Sequence, residues 1–538
     1  MIAFPSNDRP AMTSPRKILI VGGGTAGWLT ACTLARALSG GNANAGATPA
    51  ITVIESQDIG IIGVGEGTFP TIRTTLQALG IDEANFLRET TATYKQGIKF
   101  VDWLDTPEDG RHNHYLHPFD APYGSDDLSL VPYWLLQDRT ARPPFAEAVT
   151  FQPRVADADR APKRPYEGNF AGPLNFAYHF DAVKFAHLLE RRGIELGVRH
   201  LTGTIAEVEI DDTGAIARLV SPEHGVLEAD LYIDCSGFRA ELIGKALKEP
   251  QRDVLPFLFA DRAITCNVPY PSPKSPIHSY TVSTAHEAGW TWDIGLSERR
   301  GIGYVYSSAH SSDERAEEIV RAYSGPQAKD VATRVIRFEP GYRDRQWVRN
   351  CVAVGLSAGF FEPLEATGIV MVEAAAGLIA DFFPHAGPVD ASAEQFNTLM
   401  RLRCEKIVNF LKLHYCLTRR TEPFWRDNTV ADTIPPELQD MLKRWKYRPP
   451  SRFDFVTDVE TFAFFNYQYI LYGMGFETDL NAAQGAYPNT ESARKIFEKI
   501  RGFGDHAVKD LPSHRELIEQ VYAQGFTTAQ PLKPVRRA

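Results

Sequence analysis

The chain of 538 residues is poor in cysteine and has no long apolar run. Its six cysteines, Cys32, Cys235, Cys266, Cys351, Cys404 and Cys416, form no C-x-x-C pair and keep no Cys/His ligand spacing. That excludes a disulfide framework and a zinc finger, and no metal is expected. A reducing cytoplasm suits such a composition. No apolar stretch reaches the ~18 residues that a transmembrane helix needs. Positive charge is short as well: 57 Lys and Arg against 67 Asp and Glu leave a formal net charge of −10, which disfavours nucleic acid and anionic membrane as partners. Residues 1–16 are polar and proline-containing, without an apolar signal core, and read as a disordered lead-in. There is no internal repeat.

What is present begins at residues 18–28, where the apolar run Ile18-Leu19-Ile20-Val21 enters Gly22-Gly23-Gly24-Thr25-Ala26-Gly27-Trp28. A buried strand followed by G-x-G-x-x-G and an Ala/Leu-rich helix is the dinucleotide fingerprint. Gly22 makes the tight turn, Gly24 lets backbone N–H groups reach a pyrophosphate, and Gly27 lets the helix pack closely, with Thr25 and Ala26 in its first turn. A second strand, 51–54, ends at Glu55, placed to accept hydrogen bonds from a ribose. Glu55 follows Gly27 by about 28 residues instead of ~20, and the Gly/Asn/Ala stretch 40–50 accounts for the excess as a surface loop.

Strands returning at 229–239 and at 351–359, each closing on a glycine turn, predict a discontinuous nucleotide-binding domain interrupted by substrate-side insertions. We place it at 17–390, with Gly355 in its last cofactor-facing turn. Residues 91–102 are β-prone, whereas 106–173 are rich in proline and aromatics and read as irregular covering loops. Ser311-Ser312-Asp313-Glu314 predicts a capped helix ending near Gly325. From about 391 to 538 apolar residues such as Phe396, Met400, Ile407 and Phe410 recur at helical spacing, so this part is expected to be mainly helical and substrate-binding. Its aromatic group, from Phe462 to Tyr472, reads first as core and second as the wall of a pocket for a flat ring.

Several motifs together resemble the flavin-dependent halogenases of the tryptophan halogenase family, almost end to end. They are the glycine turn, Gly63-Val64-Gly65-Glu66-Gly67-Thr68, Tyr94-Lys95-x-x-Ile98-Lys99-Phe100, Asp234-Cys235-Ser236-Gly237-Phe238-Arg239, Gly289-Trp290-Thr291-Trp292-Asp293-Ile294, and Phe361-Glu362-Pro363-Leu364-Glu365-Ala366-Thr367-Gly368. The resemblance implies an α/β fold, a Rossmann-like FAD-binding domain of the flavin monooxygenase type with a mostly helical substrate part. It implies reduced FAD (FADH2), O2 and a halide, bromide or chloride, giving hypohalous acid that travels through a tunnel to an aromatic substrate. Lys95 and Glu365 fall on the catalytic positions, Gly65 and Glu66 beside the flavin, Thr367 and Gly368 on the halide site, and Trp290 and Trp292 between flavin and tunnel. His117 and Phe119 match residues lining the substrate pocket. Lys99, by strand alternation, reads as structural and on the same face as Lys95.

Two departures matter. Gly295 stands where the tryptophan motif usually has proline, which could loosen the strand end. The glutamate that binds the amino group of free tryptophan falls on Thr457, and the aromatic pair beside it on Thr461 and Phe462. A hydroxyl cannot pair a buried ammonium, so indole or another electron-rich arene is the better expected substrate. No second nicotinamide fingerprint appears, so a separate flavin reductase is expected to supply FADH2 by diffusion, to a monomer or a homodimer. The competing reading is an FAD-dependent aromatic monooxygenase (hydroxylase).

Overall fold

The computed structural model describes residues 16–39, 48–56, 65–124, 128–385, 389–456 and 460–527. The lead-in up to residue 15, residues 40–47 of the expected surface loop, Gly63, Val64 and Thr457 lie outside the described residues.

The run Lys17–Val21 is the centre of a six-stranded sheet, in the order Trp347–Val348, Cys351–Ala353, Leu231–Asp234, Lys17–Val21, Ala50–Glu55 and Arg199–Thr202. All neighbours are parallel except the first pair. A parallel sheet is covered on both faces, and the sequence shows it. Ile18 and Ile20 enter one core, with Trp28, Leu29 and Cys32 of the helix Thr25–Leu38. Leu19 and Val21 enter another, with Leu242 and Ile243. This is the α/β, Rossmann-like arrangement the glycine motif predicts.

A second sheet of seven strands runs Arg334–Arg337, Arg262–Pro269, Arg299–Tyr306, Gly289–Gly295, Thr281–His286, Gly97–Val101 and His114–Pro118. The strand Gly289–Gly295 is buried along its whole length. A small third sheet sets Ala177–Asp181 between Gly65–Gly67 and Thr93–Lys95. His179 is the register partner of both Gly67 and Thr93.

Three expectations need correction. The β-prone stretch 91–102 is two strands in different sheets, Thr93–Lys95 and Gly97–Val101, because Gly97 (φ +157°) approaches the neighbouring strand so closely that a Cβ would stand 2.3 Å from the His117 carbonyl oxygen. Lys99 therefore shares no strand face with Lys95. It pairs with Asp157 at 2.8 Å. Residues 106–173 are not irregular throughout: they hold the strand His114–Pro118 and the helices Val131–Leu135, Phe145–Val149 and Gln152–Asp157. Prolines at the starts of these short helices, which read as loop signals in the sequence, are helix-initiating residues. The cap of the helix Asp313–Ser324 is Ser312, one residue after the predicted start, accepting from the Arg315 N–H.

The C-terminal part is helical, with Val389–Cys416, Pro436–Trp445, Phe464–Gly473, Thr490–Asp510 and His514–Gln524. Phe410, Leu411, Phe462, Tyr467, Tyr469 and Tyr472 share one core cluster with Phe100 and Trp290 of the seven-stranded sheet and with Trp103 just beyond the strand Gly97–Val101. His514–Gln524 packs instead against Phe86 and Leu87 in the nucleotide-side core. None of the described helices is long and apolar enough to cross a membrane.

Candidate active site

The glycine turn is dictated by contact. Gly22 is left-handed (φ +114°), and a Cβ there would lie 2.2 Å from the Cys235 carbonyl oxygen; one on Gly27 would lie 1.9 Å from the Gly22 carbonyl oxygen. At Gly24 nothing stands within 4 Å, so its open side faces a cavity of about 550 Å³. Thr25 and Ala26 begin the helix Thr25–Leu38, whose first turn has no side-chain cap. Its free N–H groups and positive end point at the cavity, as a pyrophosphate requires. Gly355, left-handed at φ +75°, backs onto Ala26, where a Cβ would approach to 2.8 Å.

Glu55 lies on the cavity wall at the end of its strand. His200 Nε2 stands 2.7 Å from its carboxylate, and His200 Nδ1 is 3.3 Å from Glu190. Burial pushes the Glu55 carboxyl above its usual range. Glu66, between Gly65 and Gly67 on the same wall, is pushed up to about 7 by burial. The open glycine turn, the uncapped helix end and the acid at a strand end fit the pyrophosphate and ribose of FAD.

The cavity continues to Lys95, Trp292, Ala366, Thr367 and Gly368. Lys95 is fully buried, and its ammonium has no hydrogen-bond partner among the described residues. It lies 5.4 Å from the centre of the Phe119 ring. Burial pushes its pKa down to about 8, with the Glu365 charge opposing the fall, so the ammonium and the free amine are both accessible near neutral pH.

Glu365 closes the short turn Pro363–Glu365. Ala366 then takes a left-handed conformation (φ 55°, ψ 40°) before the helix Thr367–Asp381 begins. A non-glycine residue held there marks a turn that its surroundings enforce. The reversal leaves Glu365 buried and puts Thr367 and Gly368, the first residues of a helix without a side-chain cap, on the cavity wall. The Glu365 carboxylate meets His117 Nδ1 at 3.0 and 3.1 Å and His414 Nε2 at 2.8 Å. Burial pushes its pKa up, but His117 and His414 outweigh burial and hold it at about 2. His117 reaches Asn466 through Nε2 at 2.9 Å.

Beyond Lys95, behind the residues that line the cavity, packs an aromatic cluster. Phe119 contacts Phe69 (6.1 Å between centroids), Phe69 meets Phe462 edge-on (5.3 Å), and Phe462 stacks on Phe410. His117 lies 5.8 Å from the Phe410 ring. Thus Lys95, Glu365, His117, Phe119 and Phe462 belong to one neighbourhood. Trp290 and Trp292 stand 6.3 Å apart, but only Trp292 lines the cavity. Trp290 is fully buried against Trp103. Gly295 does not loosen the strand: its carbonyl accepts the Thr93 hydroxyl at 2.5 Å, and a Cβ there would meet Ile277 and Tyr270 at 2.9 Å. His414, Asn466, Phe69 and Phe410 were missed in the sequence. Phe69 directly follows the Gly65–Thr68 motif and could have been found; His414 carries no motif.

The family model described as Tryptophan halogenase matches residues 17–486. Tryptophan 6-halogenase SttH of Streptomyces toxytricini is 33% identical over 94% of this chain and 98% of its own length. Tryptophan 7-halogenase RebH of Lentzea aerocolonigenes is 34% identical over 94% and 99%. The crystal structure of a tryptophan halogenase from Shewanella frigidimarina superposes with a TM-score of 0.91 at 38% identity, covering 96% of this chain and 99% of that one. These relatives favour halogenation over hydroxylation, and the chain belongs to the tryptophan halogenase family of flavin-dependent halogenases.

Proposed function

We propose that the protein halogenates an electron-rich arene such as indole, using reduced FAD, O2 and chloride or bromide. When bound, the reduced flavin with O2 supplies the two-electron oxidation of halide to hypohalous acid. The N–H groups of Thr367 and Gly368 hold the halide. Trp292 narrows the passage, keeping a bulky substrate from the flavin side while a triatomic acid passes. The Lys95 ammonium donates a hydrogen bond to the oxygen of hypohalous acid and polarises the oxygen–halogen bond. An aromatic carbon attacks the halogen. Glu365 accepts the proton from that carbon, and hydroxide and proton leave together as water.

The single observation that carries this reading is the fully buried Lys95 ammonium, without a hydrogen-bond partner among the described residues, on a cavity wall that begins at the glycine turn. The rings of Phe119, Phe69 and Phe462 suit a flat arene. A separate flavin reductase delivering the reduced cofactor by diffusion completes the system. The protein works as a monomer or a homodimer.

Indole incubated with the protein, FAD, a flavin reductase, NADH and bromide is expected to show a bromine isotope doublet in the mass spectrum. The doublet should vanish without bromide and in Lys95→Ala, which should still bind FAD. A halide-independent gain of one oxygen, or an active Lys95→Ala, would overturn the proposal.

A further inference from the structure

His414 sits on the long helix Val389–Cys416, fully buried. Its Nδ1 lies 2.9 Å from the Phe410 carbonyl oxygen, one turn back on its own helix. A carbonyl can only accept, so Nδ1 carries a hydrogen. Its Nε2 lies 2.8 Å from Glu365 Oε1. A bare Nε2 would set lone pair against lone pair, so a proton occupies this contact on one side or the other. His117 decides the side. It already reaches both carboxylate oxygens, and a carboxyl group that takes two imidazole contacts in a buried site is stabilised as the anion.

The imidazole cannot turn away. Phe100, Phe410 and Trp103 pack around it, with centroids 4.9, 5.2 and 6.2 Å distant. Four titratable groups face the Glu365 carboxylate: His117 and Tyr115 from the strand His114–Pro118, Lys95 from Thr93–Lys95, and His414 from the long helix. Burial, with Glu365 adding to it, pushes the Tyr115 phenol well up, so it stays neutral and supplies no competing charge.

We propose that His414 is a positioning residue for the halogenation step: doubly protonated, it holds Glu365 ionised and fixes Oε1, leaving Oε2 a lone pair for the proton released by the arene. It acts through Glu365 and touches neither substrate nor flavin. The inference rests on the reading of Glu365 given above, but its charge-state half can be tested without any turnover.

The first test is ¹⁵N NMR of histidine-labelled protein without cofactor or substrate, the His414 signal being assigned by its loss in His414→Gln. At neutral pH both ring nitrogens should be protonated. In Glu365→Gln, Nε2 should lose its proton. An unprotonated Nε2 in the wild type overturns the proposal. The second test is kinetic. His414→Phe should lower kcat roughly tenfold or more, leave flavin binding and the indole KM unchanged, and bring into the accessible range an acid limb that the wild type lacks. His414→Gln, whose amide N–H can still donate to Glu365, should restore most of kcat and abolish that limb. An unchanged acid limb in a flavin-binding His414→Phe, or no rescue by glutamine, refutes it. Wild-type protein without halogenation would instead refute the proposed function while leaving the NMR result to stand.

Discussion

Replacing Glu365 by glutamine removes one charge from the site at almost constant shape, and the structure sets the size of the effect. The carboxylate accepts from two imidazoles. An amide accepts from one imidazole and turns its NH2 toward the other, which gives up its proton to receive it, so neutral bonds replace charge-assisted ones at a loss of about 1–2 kcal/mol. Glu365→Gln should therefore fold and bind FAD, with a melting temperature lower by a few degrees. Two catalytic contributions disappear together. The base for the arene proton is lost, which costs about 10²–10⁴-fold in rate. Lys95 also loses the negative charge that resists its deprotonation. A lysine pKa lowered by burial to about 8 then falls further, so the ammonium is present only below a lower pH. The basic limb of kcat moves toward neutrality. Single-turnover bromination of indole with pre-reduced flavin, run across pH, measures both contributions. A variant within threefold of wild type, or one whose basic limb stays where it was, would refute the assignment of Glu365 as base and as support for Lys95.

Gly24→Val should abolish FAD binding in a fluorescence titration, because the side chain would project from the turn into the cavity where the pyrophosphate belongs; an unaltered titration would show that the cofactor lies elsewhere. Lys163→Ala should destabilise the protein by about 3–5 kcal/mol in urea unfolding, since Lys163 and Glu83 are both fully buried and paired at 2.8 Å; a loss under 1 kcal/mol would mean that water or the neighbouring Tyr178 hydroxyl compensates the abandoned carboxylate. Free tryptophan should be turned over with a kcat/KM about tenfold or more below that of indole, and equal values would show that the zwitterion finds a partner in the site.

Much of the nucleotide side was legible because local chemistry fixes it. A strand buried on both faces, a turn that only glycine can make and an acid at the next strand end leave few alternatives. The lysine and glutamate were legible only through the motif around them, since an isolated Lys95 reads as a strand-edge charge. His414 was not legible: one ring nitrogen bonds the chain's own helix and the other reaches a residue 49 positions away, so neither contact leaves a periodic signal. The break at Gln96 and Gly97 was missed because period-2 alternation continues through it, and only the crowding against His117 makes it necessary. The short helices inside 106–173 begin at prolines, where initiation and loop look the same in a sequence.

The small sheet that joins Gly65–Gly67 to Thr93–Lys95 through Ala177–Asp181 has a consequence for how such a protein can change. Backbone ladders, not side chains, set the spacing between the cavity-lining segment Gly65–Gly67 and the lysine. The Phe69, Phe462 and Asn466 wall hangs from other elements, two of its three residues from the C-terminal part of the chain. Those side chains can therefore be exchanged while the distance from the segment Gly65–Gly67 to Lys95 stays constant to within the stiffness of a β-sheet.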